Sequence, residues 1–89
     1  MTYAIEIHPP ATAPVEALPN HAAKLALEVF ALLELAPWST GTAGDRRADA
    51  PVRSIAFGTY GMITYLILED QRIVDILDVQ WIDLPGTAG

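Results

Sequence analysis

The chain has 89 residues, 52% of them apolar, enough to close one small core in a single domain over residues 1–89. It contains no cysteine, which excludes a disulfide framework, a thiolate metal site and a cysteine nucleophile. Five Lys and Arg against eleven Asp and Glu leave a net charge of −6, the wrong sign for long-range attraction to nucleic acid, so direct DNA binding by the chain alone is not expected.

Residues 3–8, YAIEIH, alternate Tyr3, Ile5 and Ile7 with Ala4, Glu6 and His8, the period of a strand with one buried face. Pro9 and Pro10 stop it, since neither can donate a ladder hydrogen bond. Residues 11–18 have room for a helical turn or two, interrupted at Pro14 and ended by Pro19. Asn20 is placed to cap the next helix, over residues 21–35. Steps of about 100° per residue put Ala22, Leu25, Ala26, Val29, Leu32 and Leu33 on one face, toward a sheet. His21, Lys24, Glu28 and Glu34 fall on the other. Leu27 and Phe30 lie at one edge of the stripe and Leu35 in the polar arc, an apolar excess of the kind that marks an interface. Pro37 cannot continue the helix, and the Trp38 ring is expected to cover its end.

Residues 36–51, APWSTGTAGDRRADAP, lack periodicity and read as a surface loop. From residue 52 the pattern is β. VRSIAF puts Arg53 on the face of Ile55 and Phe57, GTYG turns the chain, MITYLILE reads as a buried strand, EDQR supplies a hairpin, and IVDILDVQWID is the last strand. Asp75 and Asp78 have opposite parity in that strand, so either one points to a solvated rim or a bulge shifts the phase between them; no acid/base pair on one strand face is expected of them, because a separation of three residues points them oppositely. Residues 85–89 are expected to fray. No stretch approaches the roughly 20 apolar residues that span a bilayer, and MTYAIEIHPP lacks a basic leader. A soluble, unprocessed, cytoplasmic chain with no membrane contact is therefore expected.

The element order predicts an α+β fold: an antiparallel sheet, made of the N-terminal strand and a C-terminal three-strand meander, with two N-terminal helices packed on one face. Whether the first strand is central or at an edge is left open.

Three stretches, YAIEIHPPA, LPNHAAKLALEVFALLELAPW and VRSIAFGTYGMITYLILEDQRIVDILDVQW, together with their order, resemble the RelE/ParE superfamily of bacterial type II toxins. Arg53, Gly58, Tyr60, Tyr65, Glu69 and Asp70 fit the outline of that family's meander. The resemblance implies a small toxin neutralised by a cognate antitoxin. The RelE branch cleaves messenger RNA on the ribosome and so inhibits translation; the ParE branch acts on a protein target, DNA gyrase. Cleavage by attack of a ribose 2′-hydroxyl needs cations to stabilise the developing phosphorane and a group that moves protons.

On that reading Arg53, Arg46 and Arg47 are the candidate catalytic cations, Trp81 and Tyr60 the candidate RNA or partner contacts, and Leu27, Phe30 and Leu35 the candidate antitoxin interface. The bland alternatives are a strand-edge arginine paired with a neighbouring carboxylate, a loop whose Arg46 and Arg47 are compensated by Asp45 and Asp49, and a Trp81 that packs in the core. Where the RelE pattern has an arginine after its Gly-Tyr turn this chain has Gly61 or Met62, and where the last strand ends in a basic cluster it has Gln80, Trp81, Ile82 and Asp83. Two readings follow: a RelE-like endoribonuclease if the three arginines suffice, or a non-catalytic interaction protein of the same fold. His8 and His21 have no partners in sequence, the carboxylates lack metal-ligand spacing, and neither a metal nor a cofactor is expected.

Overall fold

The structure, a computed structural model, describes residues 2–43 and 50–82. Strand β1 spans Ala4–Ile7, followed by helices α1 (Pro9–Glu16), α2 (Asn20–Leu35) and α3 (Pro37–Thr40). Strands β2 (Thr42–Ala43), β3 (Val52–Phe57), β4 (Gly61–Leu68) and β5 (Ile73–Trp81) follow, with a 3-10 turn at Glu69–Gln71. One sheet of order β1-β5-β4-β3-β2 carries the helices on a single face. The α+β class is as expected. The sheet, however, is mixed: β1 takes an edge and runs parallel to β5, with Ile5 opposite Val74 and Ile7 opposite Ile76. No hairpin constrains this pair, because the helices and the meander all intervene, and a connection that long permits the parallel direction.

Several local expectations shift for physical reasons. Pro9 and Pro10 end β1, but they also occupy the first two positions of α1, where a missing N–H costs nothing. Pro14 is accommodated inside that short helix. Asn20 is the first residue of α2 and does not cap it; Pro19 is the capping residue, and its carbonyl accepts from Ala23 N–H at 2.8 Å. The stretch read as a loop contains α3 and β2 within its described part.

The buried stripe of α2 is Ala22, Ala26, Val29, Phe30 and Leu33. It is rotated from the expected one. Phe30 is 9% exposed and belongs to the core, whereas Leu32 is 52% exposed and faces out. The larger ring fills the space between α2 and the sheet, alongside Ile63, Tyr65, Val74 and Ile76, all fully buried. Of the two alternatives for the last strand, the bulge is the one present. Thr64 pairs with Asp78 but Tyr65 pairs with Ile76, so Leu77 is the extra residue. Asp75 and Asp78 consequently share one face of the sheet, the face without helices, which corrects the expectation that a separation of three residues points them oppositely.

Phe30→Ala should therefore cost about 3–5 kcal/mol of unfolding free energy, while Leu32→Ala should stay within about 0.5 kcal/mol, both measured by urea denaturation.

Candidate functional site

Arg53, the leading candidate cation, points into the molecule. It pairs across the ladder with Tyr65, which is fully buried, and is itself 7% exposed. Its Nη2 donates to the Gly41 carbonyl at 2.8 Å. Tyr65 Oη in turn donates to the Pro37 carbonyl at 2.8 Å. Burial pushes the Tyr65 hydroxyl pKa up, and the hydrogen bond and charge of Arg53 pull it partly back. The pair thus fixes α3 and the start of β2 against the sheet from both sides. Gly41 is required at this point by close approach, since a Cβ there would lie 2.5 Å from Tyr65 Oη and 2.7 Å from the Ser54 carbonyl. The inward direction was legible in the shared parity of Arg53, Ile55 and Phe57; what the sequence lacked was a sign that α3 would cover that end of the strand.

The second constellation joins both halves of the chain. Tyr3 Oη and Trp38 Nε1 both donate to Glu69 Oε1, at 2.6 and 2.7 Å. Arg72, in the left-handed region at φ 56°, lies 3.4 Å from Glu69 Oε2, donates to Tyr3 Oη at 3.3 Å and stacks on the Tyr3 ring at 5.2 Å. The hydrogen bonds from Tyr3 and Trp38, with help from the charge of Arg72, hold the Glu69 carboxyl below its ordinary pKa. The Tyr3 hydroxyl is raised, chiefly by the same bond to Glu69. Trp38 packs against the core and is tied by its Nε1 to Glu69, a residue of the turn before β5.

Trp81 turns to the helix side. Its ring lies 5.5 Å from Phe57 and 5.5 Å edge-on from His21, and its Nε1 is buried with no acceptor among the described residues. Gly61 makes room for the Phe57 ring, which a Cβ there would meet at 2.6 Å, while the Trp81 ring lies against Gly58, 3.0 Å from where a Cβ would stand. Tyr60 is 45% exposed in the turn before β4. Leu27 and Leu35 are 64% and 68% exposed on α2, so Phe30 does not share a surface with them. Arg46 and Arg47 lie outside the described residues.

The helix-free face of the sheet carries Val52, Ser54 and Ala56 from β3, Met62, Thr64, Leu66 and Leu68 from β4, and Asp75, Asp78 and Gln80 from β5, with Glu6 of β1 opposite Asp75. His8 Nδ1 stands 3.6 Å from Asp75 Oδ2 beside it. Among the described residues this face presents no Lys or Arg. It has hydroxyls and carboxylates where phosphate recognition needs cations. No group of three or more His, Asp or Glu among the described residues is arranged to hold a metal ion, and no described helix is long and apolar enough to cross a membrane.

Two tests follow. Arg53→Met should lower stability by about 2 kcal/mol by stranding the Gly41 carbonyl, read from the denaturation midpoint with RNA absent. For Glu69 the folded pKa lies below the unfolded one, so its charge stabilises the fold above the unfolded value and that contribution disappears as pH falls through the folded value. The melting-temperature gap between the wild type and Glu69→Gln should accordingly be full at neutral pH and narrow as pH falls below the ordinary carboxylate value of 4.5.

By sequence, no protein-family model matches the chain, and neither does any curated protein. By structure it is similar to the toxin–antitoxin complex RelBE2 of Mycobacterium tuberculosis, with a TM-score of 0.78, 22% identity, and coverage of 92% of this chain and 100% of that one. A mutant of the E. coli toxin RelE in the free state matches at a TM-score of 0.77 and 12% identity, over 91% of this chain and 84% of that one. The archaeal RelE–RelB complex of Pyrococcus horikoshii matches at 0.65 and 18% identity, over 91% and 96%. The likeness extends over nearly the whole of each chain: this protein has the fold of the RelE toxins.

Proposed function

We propose that this chain is the toxin-fold member of a type II toxin–antitoxin pair in the cytoplasm, and that it works by binding protein rather than by cutting RNA. Support for the first part comes from neighbours crystallised as RelE–RelB complexes and from the exposed stripe of Leu27, Leu32 and Leu35 on α2, a seat for an antitoxin segment. The single observation that carries the second part is the character of the open sheet face. Ser54, Thr64, Asp78 and Gln80 occupy its middle, and the cation of β3 is turned inward to Gly41.

Messenger RNA cleavage on the ribosome would have to draw its positive charge from Arg46 and Arg47, which stand between Asp45 and Asp49 in sequence. A proton-transfer group would also be needed beside them. A protein target, of the kind used by the ParE branch, makes neither demand.

The protein is to be purified alone and added to ribosomes translating a defined messenger, and separately co-expressed with the small product of the adjoining gene. The expected result is an intact messenger together with a stable complex that Leu27→Asp/Leu35→Asp disrupts. Codon-specific cleavage by the wild type would overturn the protein-binding half, and failure to recover any complex would overturn the toxin–antitoxin half.

A further inference from the structure

The open face of the sheet divides along the strands. On the β3–β4 side it is mainly apolar around the Ser54–Thr64 pair: Val52 is 47% and Met62 40% exposed, and Leu66 and Leu68 are half-buried. A shallow groove of about 260 Å³ runs along that margin, lined in part by Thr42, Ser54, Ala56 and Met62. On the β5–β1 side two of the same three rows end in carboxylates and the third in an amide. Ala56–Met62 continues to Gln80, Ser54–Thr64 to Asp78, and Val52–Leu66 to Asp75 and then Glu6. The bulge at Leu77 is what brings Asp75 and Asp78 onto this one surface. None of the apolar residues of this face belongs to the buried core cluster, so no described element covers them.

We infer that this face docks a basic amphipathic segment of a partner protein, its apolar side lying on Val52, Met62 and Leu66 and its Lys or Arg side chains reaching Asp75, Asp78 and Glu6. Charge complementarity selects this occupant. A second copy of this chain, at net charge −6, would bring like charge against the three carboxylates, and a nucleic acid would bring phosphates. An uncharged apolar segment would cover Val52 and Met62 but offer no counter-charge to the half-buried Asp78, or to Asp75 beyond the His8 imidazole 3.6 Å away. A basic amphipathic segment satisfies both halves. The surface is separate from the α2 stripe, which lies on the opposite side of the sheet, and it rests on the reading of the protein as a protein binder.

The test uses the full-length protein, isotopically labelled, titrated with a synthetic Lys/Leu amphipathic peptide, with a Glu/Leu peptide of the same pattern, and with single-stranded RNA. The Lys/Leu peptide is expected to shift the amide signals of Thr64, Leu66, Asp75 and Asp78 while leaving those of Leu27 and Leu35 in place. Asp75→Asn/Asp78→Asn should weaken it at least tenfold. Glu28→Gln/Glu34→Gln, which removes the same two charges from α2, should change binding less than twofold. Equal weakening by both pairs would reduce the effect to net charge and overturn the inference. So would shifts confined to α2, or stronger binding of the Glu/Leu peptide or RNA. Because the wild-type shift map locates the site unaided, poor folding of a variant does not remove the test. Loss of the antitoxin complex in the co-expression experiment, with this map intact, would overturn the toxin–antitoxin reading and leave the docking face standing.

Discussion

A guanidinium inside a core this small has to be met by acceptors, and meeting Arg53 determines how the chain is laid down after α2. The Gly41 carbonyl accepts from its Nη2, and the neighbouring Tyr65 hydroxyl reaches the Pro37 carbonyl. These contacts hold α3 and β2 over the end of β3. Removing one partner of such a buried arrangement leaves a stranded polar group, which is more costly than the bond itself is worth. The residue that the family outline would put to work on phosphate thus has an architectural contact, and any loss of activity on its replacement would have to be separated from loss of fold.

The functional surface follows from that commitment and from one inserted residue. With Arg53 turned inward, β3 contributes Val52, Ser54 and Ala56 to the helix-free face. With Leu77 bulged out, β5 contributes both Asp75 and Asp78. A face of hydroxyls, carboxylates and exposed apolar side chains repels phosphate and suits protein. The aromatic cluster of Trp81, Phe57 and His21 lies on the helix side, with the Phe57 ring against Gly61 and the Trp81 ring against Gly58. The fold of the RelE toxins is kept, with hydroxyls, carboxylates and apolar side chains on the described part of its open side.

Much of this was legible in the residues. The alternation in YAIEIH and MITYLILE, the long helix before Pro37 and the hairpin at EDQR set the elements and the α+β class. The inward parity of Arg53 was visible too, although nothing local announced the cover over it. Three features were not readable. The direction of β1 depends on a partner strand about seventy residues away, and no local signal encodes it. The rotation of α2 that buries Phe30 and exposes Leu32 is decided by ring volume against the sheet, which helix periodicity does not resolve. The bulge was foreseen only as one of two solutions, yet it decides whether the two aspartates act together.

The most direct measurement is the salt dependence of single-stranded RNA binding by the free protein. Each phosphate neutralised by a protein cation contributes roughly −0.7 to the slope of log K against log salt. With no described cation on the open face, binding should be undetectable, or so weak that its slope stays near zero. A measurable affinity with a slope steeper than about −1.4, the mark of two or more phosphate contacts, would contradict the account.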